Sequence, residues 1–118
     1  MEWPGRLETV REVDIETRRG DDAPVHRTTI WAVVAAGEVY VRSLRGADGR
    51  WFRELMANPE AVLHVDGDSI PVRAVKADDS DSVERATEGF RRKYADSSAL
   101  QSMIRDEIAP TTVRLEPV

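Results

Sequence analysis

The chain has 118 residues, with 22 acidic and 17 basic side chains and a formal charge of −5. This length fits one domain over residues 1–118, and the acidic balance argues against sequence-independent nucleic-acid binding. The absence of cysteine excludes disulfides and thiolate chemistry, and two histidines, His26 and His64, are too few for a zinc site built mainly on imidazole. No signal peptide and no apolar run of membrane-spanning length is found, so we expect a cytoplasmic protein without membrane contacts.

Six segments predict β-strands because β-branched, aromatic and alternating apolar residues are concentrated in them: residues 14–17, 25–34, 39–43, 61–65, 69–77 and 111–115. The second and third are expected to form a hairpin, and Asp66-Gly67 is a strong hairpin turn between the fourth and the fifth. Pro71 indicates an edge position or a bulge in the fifth strand, because proline lacks the N–H that a central strand needs.

Three segments carry apolar residues at helical spacing. The first, residues 50–57, follows a loop with two glycines, and Asp48 is expected to cap its N-terminus. The other two begin at capping boxes, residues 81–84 and 98–101, and end near residue 95 and before Pro110. Tight turns favour antiparallel pairing, so we predict a mainly β fold, a small antiparallel barrel with two to three flanking helices.

The sequence lacks the motifs that mark common enzyme classes, among them the P-loop, H-E-x-x-H and G-x-S-x-G. Adjacent acidic pairs such as Asp78-Asp79 fall in predicted turns and are interpreted as solvated. We therefore assign no catalytic residue and no metal ligand, and any chemistry is expected to need a borrowed cofactor.

Arginine is the informative residue type, because it supplies 15 of the 17 basic side chains. Arg42, Arg45 and Arg50 surround a loop that contains Gly46 and Gly49. A guanidinium binds phosphate bidentately, and a glycine loop ahead of a helix offers backbone N–H groups, so residues 43–51 are a candidate anion cradle. The alternative is a loop whose arginines pair with local carboxylates, and composition leaves both interpretations open.

Aromatic residues lie beside this segment. Trp51, Phe52 and Trp31 could together wall a planar ligand, since ligand pockets are mostly apolar. For Trp31 and Phe52, packing in the core is the favoured interpretation. The two histidines are expected on strand faces rather than in catalysis.

Residues 28–34, 39–46, 49–52 and 57–59 together resemble the DUF2255 family of uncharacterised bacterial proteins. The order of Ser43, Gly46, Trp51, Leu55, the run 57–59 and Gly67 also resembles, more distantly, deazaflavin-dependent nitroreductases. These belong to the split β-barrel FMN and deazaflavin reductases, the pyridoxamine-phosphate-oxidase-like superfamily.

The resemblance implies a split β-barrel that forms a homodimer and binds a flavin-type ring at the dimer interface, with FMN or an 8-hydroxy-deazaflavin as cofactor. It places the cofactor's phosphates at Arg18, Arg19, Arg27, Ser43 and Gly46. With the cradle residues added, the expected cofactor-binding set is Arg18, Arg19, Arg27, Ser43, Arg45, Gly46, Gly49, Arg50 and Trp51.

We therefore expect a small-molecule oxidoreductase. The alternatives are a non-catalytic cofactor- or ligand-binding module, and a dimeric interaction protein with a vestigial pocket. A single domain of this length leaves little room for a substrate pocket, which favours a second copy of the chain as partner.

Overall fold

The structure, a computed structural model, describes residues 3–118. Its seven strands are β1 (Val13–Thr17), β2 (His26–Ile30), β3 (Val33–Ala35), β4 (Glu38–Val41), β5 (Glu60–Val65), β6 (Asp68–Lys76) and β7 (Val113–Pro117). The α-helices are α1 (Arg50–Ala57), α2 (Ser80–Lys93) and α3 (Leu100–Ile104), and short 3-10 turns lie at Gly5–Leu7, Gly46–Asp48 and Asp106–Thr111. Within this described part, no helix is long and apolar enough to cross a membrane.

The strands form one antiparallel sheet in the order β2-β1-β5-β6-β7-β4-β3. Its two end strands, β2 and β3, are separated in the chain only by Trp31 and Ala32. The Cα atoms of Ile30 and Val33 can therefore lie at most about 11 Å apart. A seven-stranded sheet whose opposite ends lie this close must roll up, so the predicted split barrel with flanking helices is confirmed.

The predicted strand over residues 25–34 is in fact two strands, and this is why the sheet has seven strands instead of six. Ile30 pairs with Val13 of β1, whereas Val33 pairs with Tyr40 of β4. The predicted hairpin therefore exists only as β3 and β4. The composition of the segment is uniformly strand-like, so it gives no signal that the chain changes partner at Trp31.

The barrel interior is filled by the alternate residues of its strands. Val13 and Ile15 of β1 face inward with Leu63 of β5 and Leu115 of β7, and each is at most 3% exposed. Trp51, Phe52 and Leu55 of α1 complete this cluster, because the apolar stripe of that helix lies against the barrel.

A second apolar cluster lies outside the barrel, between the β3–β4 hairpin and the two helices that follow β6. Tyr40 of β4 packs with Phe90 and Tyr94 of α2, all three at most 1% exposed. Gly89 allows α2 to approach the hairpin closely, because a Cβ at this position would lie 3.1 Å from Cγ2 of Val33. The outward face of β4 is therefore buried as completely as its inward face.

Three local predictions about helix ends are wrong. Gly49 rather than Asp48 is the N-cap of α1, and no side chain caps that helix. The cap of α2 is Asp79, whose carboxylate accepts a hydrogen bond from the Ser82 N–H at 3.0 Å, so the helix begins before the predicted capping box. No side chain caps α3, which ends at Ile104.

The predicted edge position of Pro71 is also wrong, because β6 has hydrogen-bonded neighbours on both sides. The carbonyl of Pro71 accepts from the Val118 N–H at 3.1 Å, just past the last residue of β7. The proline nitrogen faces this same side, where the ladder ends and a lost N–H costs little.

Lys93, at the end of α2, connects the Trp31-Ala32 link between β2 and β3 with the N-terminal segment. Its ammonium donates to the carbonyl oxygens of Ala32 at 2.5 Å and Leu7 at 2.7 Å. Burial, helped by the nearby Arg11 charge, lowers the pKa of Lys93 to about 8 from its usual 10.5. Burial also raises the pKa of Tyr94 to about 12.

These shifts predict a pH-dependent stability. Between pH 8 and 10.5 the unfolded chain binds more protons at Lys93 than the folded chain, so the free energy of unfolding should rise with pH, by at most about 1.4 kcal/mol per unit. Above pH 10 Tyr94 opposes this rise, which makes pH 8 to 10 the informative window. Urea denaturation across that window measures the slope.

The two lysines of the chain supply a test variant and its matched control. Lys93→Met should flatten the slope, whereas Lys76→Met, at an exposed position, should leave it intact. An equal slope in wild type and Lys93→Met would show that Lys93 is not the titrating group.

Candidate functional site

A cavity of about 550 Å³ opens where β2 ends and the chain leaves β4. Its size is within the range of small-molecule and cofactor sites. It is lined by Glu12, Thr28, Thr29, Ile30, Trp31, Arg42, Ser43, Leu44, Arg45, Gly49, Arg50, Trp51, Ala99 and Met103. The structure thus brings five of the predicted binding residues to one place, namely Ser43, Arg45, Gly49, Arg50 and Trp51.

The loop between β4 and α1 is held tightly by its own backbone. The Gly46 N–H donates to the Ser43 carbonyl at 2.9 Å, and the Gly49 N–H donates to the Gly46 carbonyl at 3.1 Å. Gly46 has φ of +69°, a left-handed conformation that favours glycine. Gly46 does not itself line the cavity, so its part is to shape the loop that carries Ser43 and Gly49.

Ser43 has a buried hydroxyl with no hydrogen-bond partner among residues 3–118. Its backbone N–H donates to Thr111 Oγ1 at 3.0 Å, but Ser43 Oγ is fully enclosed and unsatisfied. A buried polar atom without a partner costs stability, so such an atom beside a cavity calls for an explanation. A ligand that reaches Ser43 would supply the hydrogen-bond partner that its hydroxyl lacks.

The arginines at the cavity do not form ion pairs. No carboxylate of residues 3–118 lies within 4.0 Å of the Arg42, Arg45 or Arg50 guanidinium. Arg50 makes only a long contact, at 3.4 Å, to Thr28 Oγ1. The alternative in which these arginines pair with local carboxylates is therefore wrong, and their charge remains available to an anion.

Arg42 is the one cavity arginine that is buried, at 1% exposure. Its guanidinium donates to Thr112 Oγ1 at 2.8 Å, to the carbonyls of Val83 at 2.9 Å and Met103 at 3.4 Å, and to Thr87 Oγ1 at 2.8 Å. Burial lowers the pKa of Arg42 to about 10, so the group is still charged at neutral pH. The structure thus places Arg42, which the sequence analysis set beside the glycine loop, among the residues that line the cavity.

Two tryptophans form walls of the cavity. The Trp31 ring stacks on Tyr94, with centroids 3.8 Å apart and planes 4° from parallel, and the outward side of Trp31 remains half-buried at the cavity. Trp51 meets Phe52 edge to face and is 6% exposed. Trp31 thus has both predicted roles, since it packs on Tyr94 and lines the cavity, whereas Phe52 belongs to the barrel core alone.

Helix α1, which carries Arg50 and Trp51, is fixed to the barrel by a buried carboxylate. Glu54 accepts a hydrogen bond from Thr17 Oγ1 at 2.8 Å and contacts His26 Nδ1 at 2.7 Å. Because Glu54 lies one helical turn after Arg50, this contact sets the rotation of the helix. The interpretation of His26 as a strand-face residue did not include this role.

The structure does not bring Arg18, Arg19 or Arg27 to the cavity. Arg27 contacts Asp14 Oδ2 at 3.1 Å and is not among the residues that line the cavity. The Arg18 guanidinium donates to the carbonyl of Asp21 within its own turn. These three residues therefore stand apart from the cavity, and their role in cofactor binding stays a prediction from the resemblance.

The loop geometry predicts a specific steric coupling. A Cβ added at Gly49 would collide with Ser43 Oγ, so Gly49→Ala should cost about 1–3 kcal/mol of unfolding free energy. Ser43→Ala removes an unsatisfied hydroxyl and should be close to neutral. In the Ser43→Ala background the cost of Gly49→Ala should therefore fall by at least half, as measured by urea denaturation.

Gly20→Ala is the matched control, because nothing lies within 4 Å of a Cβ at that position. It should change stability by less than about 0.5 kcal/mol. An equal cost of Gly49→Ala with and without the Ser43 hydroxyl would contradict the packing described here.

The fold is similar to that of several solved structures, each of low sequence identity. A haem storage protein from Vibrio cholerae, HutZ, has a TM-score of 0.70 and 11% identity over 97% of this chain and 86% of that chain. An F420-H2-dependent reductase, FDR-A, has a TM-score of 0.67 and 15% identity over 90% and 94%. A protein from Listeria innocua assigned as a candidate pyridoxamine 5′-phosphate oxidase has a TM-score of 0.64 and 16% identity over 97% and 87%.

At these identities the structures show the split-barrel fold and leave the ligand of this chain open. No curated protein matches the sequence significantly. The family model described as "Uncharacterized protein conserved in bacteria (DUF2255)" matches residues 5–115, nearly the whole chain. The resemblance of the sequence to that family is thereby confirmed, and the chain belongs to the DUF2255 family.

Proposed function

We propose that this protein binds a planar, phosphate-bearing redox cofactor of the flavin class, FMN or an 8-hydroxy-deazaflavin, and acts as a small-molecule oxidoreductase. The observation that carries the proposal is the convergence of an unpartnered Ser43 hydroxyl and the unpaired Arg45 and Arg50 on one cavity between two tryptophans. The F420-H2-dependent reductase of similar fold supports the same ligand class.

The residues present fit the two ends of such a molecule. Arg45 and Arg50 offer charge-assisted hydrogen bonds at the end of the cavity formed by the glycine loop, and Ser43 Oγ, enclosed against Gly49, offers a further one once its side chain turns toward the ligand. Trp31 and Trp51 offer apolar surface for a flat ring, and Leu44, 49% exposed, extends that surface at the cavity's rim. When bound, the ring would supply hydride or electron transfer, which the side chains of this cavity do not offer by themselves.

The chain's own part in such a reaction is binding, orientation and the exclusion of water. Glu12 is the one carboxylate of the cavity lining, and no histidine or lysine is among the lining residues. Ring stacking on tryptophan and phosphate anchoring at the loop would fix the cofactor in one orientation. We assign no general acid or base.

The same composition of the lining favours a second candidate, a cofactor- or ligand-binding module without turnover. A cavity with few titratable groups can hold a ligand and still lack the means to move a proton. Haem is a further ligand to compare, because the Vibrio cholerae protein of similar fold is a haem storage protein. Neither His26 nor His64 lines this cavity, so an imidazole ligand to haem iron would have to come from elsewhere.

We also propose that a second copy of the chain completes the site. The exposed Leu44 at the rim is the apolar surface that such a partner would cover. Light scattering on the purified protein should give twice the chain's mass, and a monomer with full cofactor affinity would contradict this part of the proposal.

Binding is tested by titrating the purified protein with FMN, a deazaflavin and haemin while following fluorescence and absorbance. We expect saturation by a flavin-type ligand at micromolar concentration. Arg45→Gln, at an exposed and unpaired position, should weaken FMN binding about fivefold, equivalent to about 1 kcal/mol. Arg53→Gln is the matched control, because Arg53 is exposed on α1 and does not line the cavity.

Failure of both flavin-type ligands to bind would overturn the proposal, and saturation by haemin alone would replace it with haem binding. Turnover then separates the two candidates that remain. Reduction of the bound cofactor by a nicotinamide donor, followed by reoxidation by an added acceptor, supports an oxidoreductase. Tight binding without either step supports the binding module.

A further inference from the structure

Arg42 combines complete burial with a full positive charge. It directly follows the last residue of β4, and its side chain enters the layer between the barrel and the helices α2 and α3. Every acceptor it contacts is neutral, being a backbone carbonyl or a threonine hydroxyl. The Phe90 ring below it, 5.4 Å from the guanidinium carbon, adds a cation–π contact and no negative charge.

Glu54 is the other buried charged side chain of the described part, and its surroundings differ because it contacts His26. Moving a guanidinium out of water is costly unless an opposite charge compensates it. Hydrogen bonds to neutral acceptors satisfy donors but leave the charge itself uncompensated. The folded chain therefore holds a positive charge for which residues 3–118 provide no counter-ion.

The cavity is where a counter-ion could reach it. Arg42, Ser43 and Met103 are all among the residues that line the cavity, and Met103 also supplies a carbonyl to the Arg42 guanidinium. The Nη1 group of Arg42 donates only to the Met103 carbonyl, at a long 3.4 Å, although it carries two N–H groups. An anionic group in the cavity beside Met103 would therefore lie near a buried charge whose Nη1 makes a single long hydrogen bond within residues 3–118.

We propose that Arg42 is the specificity-determining residue of this cavity, and that its buried charge selects ligands that bear a phosphate dianion over the same ligands without it. This inference rests on the proposed function for the rest of the ligand. It assigns to Arg42 a larger share of the charge selectivity than to the exposed Arg45 and Arg50, whose fields are screened by water and salt.

A purely structural role for Arg42 makes a different prediction. If the guanidinium only joins β4 to α2 and α3, its removal loosens the cavity for every ligand alike. If its charge selects the ligand, its removal weakens phosphate-bearing ligands and spares uncharged ones. The ratio of two affinities therefore separates the roles, where a single affinity would not.

The test compares FMN with riboflavin, which lacks the phosphate, by fluorescence titration of the full chain. Wild type should bind FMN at least about tenfold more tightly than riboflavin, since hydrogen bonds to charged groups are strong. Arg42→Gln should reduce this ratio to within about threefold, mainly by weakening FMN. Arg42→Lys, which keeps the charge, should retain most of the ratio, and Arg73→Gln, which removes a charge from an exposed position outside the cavity, should retain all of it.

A second measurement needs no flavin. Inorganic phosphate should raise the melting temperature of wild type above its value in sodium chloride of equal ionic strength, and should not do so for Arg42→Gln. If neither FMN nor the deazaflavin binds but phosphate still stabilises wild type alone, the proposed function fails and the role of Arg42 stands.

Equal affinity of wild type for FMN and riboflavin, or an unchanged ratio in Arg42→Gln, would overturn the role of Arg42 and leave cofactor binding intact. If Arg42→Gln does not fold, Arg42→Lys decides the matter. A folded Arg42→Lys protein that has lost the FMN preference would show that the charge is not what selects the ligand.

Discussion

The rest of this structure depends on the two-residue link between the opposite edges of the sheet. Trp31 and Ala32 connect β2 to β3, and a link this short forces seven strands to close on themselves. The closure places the Trp31 ring at the cavity, against Tyr94 of α2. It also places the Ala32 carbonyl where Lys93 can donate to it, so the barrel, the outer helices and the cavity wall meet at one point of the chain.

A second constraint is the distribution of charge. The chain is acidic overall, and several of its arginines form ordinary exposed ion pairs, such as Arg11 with Asp96 and Arg91 with Glu88. Those at the cavity form no ion pair with any carboxylate in the part of the chain that the structure describes. An acidic protein with a small, uncompensated positive region has a local potential opposite to its net charge, and that region attracts anions even though the whole molecule repels them.

Much of the fold and part of the cavity could be predicted from the sequence, because both depend on local patterns. Alternating apolar residues place β1 and β5, and the glycine loop ahead of α1 places Ser43 and Gly49 beside one another. The change of partner at Trp31 could not be predicted, because strand composition is the same on both sides of it. Cavity residues from distant segments, such as Glu12 and Met103, come together only through the tertiary fold.

The sequence places Arg42 beside the glycine loop, but its complete burial depends on the tertiary fold. Arg42 follows β4 directly and lies, like Tyr40, on the side that the helices cover, where most of the packed side chains are apolar. Burying an ion among neutral groups is often less stable than burying an apolar side chain of similar volume. A fold organised for stability alone would favour an apolar residue at this position. The charge is therefore better explained by the anionic ligand that we propose for the cavity than by the stability of the barrel, and the unsatisfied hydroxyl of the adjacent Ser43 supports the same proposal.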